Sequence, residues 1–331
     1  MRIIFNSMYC GLGNNGGSST IVRSANALVE LGHDVTIIDT GKNCHTWTPL
    51  NATFRKINDI NKLPAADAII ATGYGTVKST VNAPARCGKK FHWIRGWETW
   101  NFIEEKIKKM VLDQPTIKIV NSICLQDKLK SLGHASYIVR PGYDFNEIFP
   151  VVYNKAHKNV ILGGLYNWGS KRSGKRVRWI FETARFLKKN YDHVVLFMYG
   201  ADGVPAEDCV DQFIRHPTIA QKNEMLNSID IWLAPTELEG LHIAPAEAML
   251  TQATVVGTCA PMSGMQDYLL HNKTGIITDN DQASFTNAVE ELIFKPEDRM
   301  FLGLNGREKI LSLGSRKQNM LRMVEILEKF V

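Results

Sequence analysis

A chain of 331 residues, 44% hydrophobic and 22% charged, is long enough for two ordinary soluble domains, each with its own core. Its formal charge of +6 fits an anionic ligand, an acidic membrane surface or nucleic acid without separating them. The six cysteines form no C-x-x-C pair and no apolar run reaches the roughly 20 residues of a membrane span, which argues against a disulfide framework, a zinc cluster and a transmembrane helix, and makes a reducing cytoplasm the expected setting.

The apolar run Ile3-Ile4-Phe5 predicts a first strand starting at Arg2, which leaves no room for a signal peptide before it. Asn6 to Cys10 then separate that strand from Gly11, Gly13 and Gly16, spaced as G-x-G-x-x-G. In a dinucleotide site the first glycine follows the strand directly, so that the pyrophosphate meets the helix N-terminus. Here the offset predicts a longer loop, with Gly16-Gly17 just before a helix capped by Ser18 or Ser19. Such glycines give room to a bulky ligand. An NAD-dependent oxidoreductase stays open as an alternative, with Asp39 at the end of "DVTIID" as its acidic residue.

The first helix carries Ile21, Val22, Ala25, Leu28 and Val29 on one face and is closed by Gly32. "DVTIID", "DAIIAT", "KFHWI" and "IKIVNS" are the next strands, and "ASYIVRPG" completes a first half ending near Pro150. Within it, "KKFHWIRGWETW" interleaves Lys89, Lys90, His92 and Arg95 with Trp93, Trp97 and Trp100. Cations between aromatics suit stacking on a base or a sugar. The same string also reads as a buried strand with core tryptophans. A nucleic-acid acceptor therefore stays in view, without a recognition module to support it.

The second half starts afresh at "KNVILGGL" and continues through a helix from Val177 to Lys189, then "HVVLFMYG", "DIWLAP", "ATVVGT" and "TGIIT". Strand–helix–strand units in both halves predict an α/β fold of two doubly wound parallel sheets. Asp279-Asn280-Asp281 is a D-x-D triplet, but it lies between a strand and "QASFTNAVEELI", so Asp281 is read as a helix cap and no metal site is expected. After Gly314, "SRKQNMLRMVEILEKFV" predicts an amphipathic helix.

The segment richest in chemistry is "APTELEGLHIAPAEAML", residues 234–250. Proline favours the first helical position, which predicts a helix from Pro245 with Glu247 in its first turn. Gly240, Leu241 and His242 form the loop feeding it, and their amides with the helix N-terminus make an anion site. Glu239 and Glu247 beside such a site suit a nucleotide sugar: one carboxylate holds sugar hydroxyls, the other ribose hydroxyls, and the amides face the diphosphate. The plainer reading is a capping glutamate and a surface glutamate.

These residues resemble the retaining GT-B glycosyltransferases of the group 1 family (glycosyltransferase family 4). The resemblance runs through Gly16-Gly17 with "ALVELGHDVTIID", "VRPGYDFNEIFP", "LFMYGADGVP" and, most strongly, the E-x7-E element of "MLNSIDIWLAPTELEGLHIAPAEAM". It implies two Rossmann-like domains facing each other across a cleft: an acceptor-binding domain over residues 1–150 and a nucleotide-sugar-binding domain over 151–312. A C-terminal helix over 313–331 is expected to cross back to the first domain. It implies Glu239 on the donor sugar and Glu247 on the ribose. The family adds an arginine and a lysine on the loop after the second domain's first strand, where this chain has "GGLYNWGSKRSGKR", with Gly164 at the arginine's place. Lys171, Arg172, Lys175 and Arg176 are the cations left, and alignment by the next helix favours Lys175.

The resemblance thus implies Glu239, Lys175 and Arg172 as catalytic residues, and Glu247, Gly240, Leu241, His242, Lys171, Arg176 and Gly164 as donor contacts. On the acceptor side it implies Gly16, Gly17, Arg95, Trp97 and Glu98. The implied activity is metal-independent, retaining hexosyl or pentosyl transfer from a nucleotide sugar to the hydroxyl of a glycan, a small molecule or a modified nucleic-acid base. No cofactor and no protein nucleophile are implied; the departing phosphate takes the acceptor's proton. A non-catalytic sugar-nucleotide-binding protein is the remaining alternative. "AMLTQATVV" departs from the family's small residues and bears on local packing.

Overall fold

The computed structural model describes residues 1–41, 47–99, 103–151, 158–167, 175–201 and 203–331. They fall into two units, Met1–Gly142 with Gly314–Val331, and Tyr143–Leu313.

Among the described residues the first unit has strands β1 (Arg2–Asn6), β2 (Asp34–Asp39), β3 (Thr53–Lys56), β4 (Ala68–Ala71), β5 (Lys89–Ile94), β6 (Ile117–Val120) and β7 (Tyr137–Ile138). They pair in parallel in the order β3-β2-β1-β4-β5-β6-β7. The connecting helices are α1 (Gly16–Glu30), α2 (Tyr74–Val81), α3 (Glu104–Ile107) and α4 (Ile123–Ser131). A parallel sheet is covered on both faces, so its central strands read as continuous apolar runs: Ile3, Ile4 and Phe5 are all buried, as are Ile69 and Ile70. The α1 stripe of Ile21, Val22, Ala25 and Leu28 lies in the same core as Ile3, Phe5 and Ile37.

The second unit has β8 (Val160–Tyr166), β9 (Val194–Gly200), β10 (Gln212–Arg215), β11 (Ile231–Ala234), β12 (Leu238–Glu239), β13 (Thr254–Thr258), β14 (Met262–Ser263) and β15 (Ile276–Thr278). Its main sheet runs β10-β9-β8-β11-β13-β15, and β12 pairs separately with β14. Its helices are α5 (Val177–Asn190), α6 (Ile219–Ser228), α7 (Ile243–Leu250), α8 (Gln282–Ile293) and α9 (Pro296–Ser312). Residues 143–150 belong here and not with the first unit, because Tyr143 and Ile148 are buried in this core beside Trp232 and Tyr268.

Helix α10 (Arg316–Glu328) returns to the first unit and packs on α1, putting Met320, Met323, Val324 and Leu327 into that core. The Arg316 guanidinium donates to Pro141 O at 3.1 Å. Gly142 has a φ of +72°, and a Cβ there would lie 2.6 Å from Arg316 N, so only glycine fits. No helix of the described residues is long and apolar enough to cross a membrane.

Candidate functional site

In the second unit's sheet, β9 lies on one side of β8 and β11 on the other. The chain segments leaving the carboxyl ends of β8 and β11 therefore diverge, which is where open α/β sheets form a ligand crevice. Two helices begin there, α5 after β8 and α7 after β11 and β12. Their cap residues, Arg176 and His242, have φ of 48° and 57°, and neither makes a side-chain cap hydrogen bond. Neither cap residue's side chain thus holds the first amides of its helix, in contrast with α6 and α8, which Thr218 and Asp281 cap.

Charged side chains gather at these helix starts. Lys175 Nζ stands 2.8 Å from Glu239 Oε1, both largely buried. Arg176 Nη2 is 2.9 Å from Glu237 Oε2, its Nη1 donates to Asn280 Oδ1, and its guanidinium stacks 4.4 Å from the Trp179 ring centre. Glu239 lies on β12, and a Cβ at Gly264, just after β14, would clash with Gly240 O and come within 2.6 Å of Leu241 Cα. The 239–241 backbone is thereby fixed by a close approach. Leu241 is buried in the core below.

His242 is held in its left-handed backbone conformation by Tyr268, whose hydroxyl donates to His242 O at 2.6 Å. Its Nε2 lies 3.5 Å from Thr236 Oγ1, while its buried Nδ1 has no hydrogen-bond partner among the described residues. Burial lowers its pKa to about 4, against the opposing pull of Glu239. At neutral pH it is an uncharged ring that donates from one nitrogen and accepts at the other.

Glu247 sits in the second turn of α7, because the helix begins at Ile243 and not at Pro245. Pro245 is the third helical residue, where its missing N–H costs no intrahelical bond. Glu247 Oε2 is 2.6 Å from Lys222 Nζ of α6, and that ammonium lies 5.8 Å from the Tyr199 ring centre.

Three further expectations are corrected or fall outside the description. Gly164 is an interior residue of β8, where a Cβ would meet Ile180 Cδ1 at 3.1 Å; it packs under α5 and is not a loop residue facing a ligand. Lys171 and Arg172 lie outside the described residues, as does Trp100. Sequence gives Glu237 and Lys222 no role, and Asn280 enters it only as the middle residue of the D-x-D triplet. Glu237 had a signal, two positions before Glu239 in a strand-like run, but Lys222 looks like any solvated helix lysine.

The corresponding point of the first unit lies between β1 and β4. Asn15, not Ser18 or Ser19, caps α1, its Oδ1 accepting from Ser18 N at 3.0 Å, so Gly16 and Gly17 are the first helical residues. Arg95 follows β5 and donates to Gly17 O and, at 2.6 Å, to Thr72 O, tying the start of α1 to the end of β4. Burial lowers its pKa to about 10, opposed by Glu98. Glu98 Oε1 accepts from Tyr74 N at 3.4 Å. Asp39, the residue an NAD site would place on a ribose, is fully buried and accepts from Gly41 N at 3.0 Å.

Trp93 and Trp97 are core residues: Trp93 Nε1 donates to Val139 O at 3.1 Å, and Trp97 is 4% exposed. Neither is a stacking platform, so the aromatic argument for a nucleic-acid acceptor, and Trp97 as an acceptor contact, do not hold. Asp281 caps α8, accepting from Ser284 N at 2.8 Å.

Residues 160–294 match the family model described as glycosyl transferases group 1. The alpha-1,3/1,6-mannosyltransferase ALG2 of Homo sapiens is 30% identical over 98 residues, 30% of this chain and 23% of that protein. The match therefore spans less than a quarter of that relative's length. Among solved structures, the sucrose-phosphate synthase of Thermosynechococcus elongatus superposes with a TM-score of 0.76 at 15% identity, covering 99% of this chain and 98% of that one. Anabaena Alr3699/HepE in complex with UDP and glucose gives 0.79 at 12% identity, covering 99% and 100%. WaaG, a glycosyltransferase involved in lipopolysaccharide biosynthesis, gives 0.71 at 13%, covering 99% of each chain. These likenesses establish the GT-B fold. With that fold throughout, the chain is similar to the group 1 glycosyltransferases through residues 160–294.

Proposed function

We propose that the protein transfers a hexose, with retention, from a nucleoside-diphosphate sugar to a hydroxyl acceptor, and that the second unit holds the donor. The observation that carries this reading is the Lys175–Glu239 pair at 2.8 Å, set beside two helix starts whose cap residues make no side-chain cap hydrogen bond. The diphosphate lies against the first amides of α5 and α7, which bring partial positive charge to it. Lys175 and Arg176 neutralise the charge that develops as it leaves. His242, uncharged, offers an N–H from Nδ1 when Nε2 accepts from the Thr236 hydroxyl. Glu239 accepts from the sugar's hydroxyls and Glu247 from those of the ribose.

In the transfer the bond from the anomeric carbon to the phosphate oxygen breaks, the bond to the acceptor oxygen forms on the same face, and the acceptor's proton passes to the departing phosphate. The protein supplies orientation and preorganised charge, strongest where the transition state needs it. The acceptor is received by the first unit around Gly17 and Glu98. A hexosyl donor is favoured because a relative is named as a mannosyltransferase and a structural neighbour is bound to UDP and glucose.

The test is hydrolysis and transfer from a panel of uridine and guanosine diphosphate hexoses, with and without a chelator. Turnover survives chelation and falls about 10²-fold or more in Glu239→Ala and in Lys175→Ala, the usual scale for a transition-state contact. Strict dependence on a divalent cation, or full activity in both variants, overturns the site. Glu247→Ala raises the donor KM more than it lowers kcat, since a ribose contact is made equally in the ground and transition states.

A further inference from the structure

We infer that Lys222 is a positioning and specificity residue for the donor: by holding Glu247 it gives the site its preference for a ribonucleotide over a deoxyribonucleotide. The inference rests on the reading of Glu247 as the ribose contact. Glu247 Oε2 is 2.6 Å from Lys222 Nζ, with side chains 18% and 24% exposed, so the pair is mostly out of water yet open on one side. The ammonium lies 5.8 Å from the ring centre of the buried Tyr199, on whose face a cation is favoured. Lys222 is in the second turn of α6, whose start is fixed by a capping box between Thr218 and Gln221. Glu247 is in the second turn of α7. The ion pair thus joins two helices anchored on one core.

A carboxylate can rotate about its terminal bond, and a ribose offers two adjacent hydroxyls that it must meet in one plane. Pinning Oε2 with an ammonium stops that rotation and leaves Oε1, with the second lone pair of Oε2, turned to the diol. The ammonium keeps further protons, so a hydroxyl that donates to Glu247 also finds a donor for its own lone pair. A 2′-deoxyribose forfeits one hydroxyl and leaves part of this arrangement unpaired. Leaving a buried charged group short of a partner is a strong basis for rejecting a ligand. Without Lys222 the carboxylate turns freely and the distinction fades.

The probes are uridine and guanosine diphosphate and their 2′-deoxy forms, with affinities measured by calorimetry on the full chain, using whichever base binds more tightly. The native protein prefers the ribonucleotide by about tenfold or more, the scale of one hydrogen bond to a charged group. In Lys222→Met the ribonucleotide binds about tenfold more weakly while the deoxy form changes little, so the ratio collapses. Lys222→Arg restores most of it. The Lys222→Met, Glu247→Gln double variant is no worse than Glu247→Gln alone, because the two side chains act as one unit. The melting temperature without nucleotide is the control: a purely structural lysine would lower it and leave the ratio intact.

An unchanged ratio in Lys222→Met, with a collapsed one in Glu247→Gln, overturns this inference and keeps the ribose contact. An unchanged ratio in both overturns the ribose contact itself. If Lys222→Met does not fold, Lys222→Gln, which keeps a hydrogen-bond donor but loses the charge, is read by the same ratio.

Discussion

His242 takes up a proton only near pH 4, because burial outweighs the field of Glu239, and Lys175 pushes in the same direction as burial. In the unfolded chain the same imidazole titrates near its ordinary value of 6.5. As pH falls through that window the unfolded state binds the proton first, so stability is full above 6.5 and declines toward 4. His92, fully buried with both ring nitrogens lacking hydrogen-bond partners among the described residues, is lowered to about 3, mainly by burial, and adds in the same sense. His242→Gln is therefore expected to flatten the fall in unfolding free energy between pH 6.5 and 4 by up to about 1.4 kcal/mol per pH unit. Urea unfolding of both proteins across that range checks it; equal slopes would mean that the ring is not buried as a neutral base. At this scale the sequence was informative where a motif fixes spacing. Glu239 and His242 come together because the E-x7-E element ties its residues to one strand end and the helix that follows, and Lys175 and Arg176 reach that strand end from the start of α5. Lys222 was not legible, because its partner is brought from another helix and nothing local marks it. Trp97 misled, since cations between aromatics look alike whether the rings face solvent or the core.

Among the elements, the turn from β12 into α7 depends on one close approach. Gly264→Ala sets a methyl against Gly240 O and Leu241 Cα, both backbone and unable to swing aside. Overpacking of this kind costs about 1–3 kcal/mol, and the β12–β14 pair must open to relieve it, carrying Glu239 with it. The expected outcome is weaker donor binding together with a lower melting temperature. Gly16→Ala is the contrast: a Cβ there meets nothing within 4 Å and starts α1 with a better helix former, so stability holds or rises slightly. Thermal melts of the two variants, with a nucleoside diphosphate titration of Gly264→Ala, check both. The strands with apolar runs were all visible in the sequence. The edge strands β3 and β10 were not, because "TFRK" and "QFIR" are half-exposed and carry the charges that keep an edge from pairing further. The start of α7 was misplaced for a related reason: Pro245 is as acceptable at the third position as at the first, and sequence alone does not separate them.

For the whole molecule, the decisive element is α10. Met323 is fully buried in the first unit's core, so Met323→Ala removes about 2–5 kcal/mol from that unit. Hydrogen exchange is the measurement: amides of β1, β2 and β4 lose protection, while those of β8, β11 and β13 keep theirs. Uniform loss across both sheets would show that the two units open together. That two α/β halves exist was plain from the alternation of runs and helices. Where one ends was not, because Tyr143 and Ile148 look no different in sequence from the residues before them and declare their side only by burial.

The first unit is split in the chain, with the second inserted between Gly142 and Gly314. During synthesis the inserted unit is therefore complete, and free to settle, while its predecessor still waits for the methionines of α10 to close its interior. A chain begun at the front is finished first in the middle.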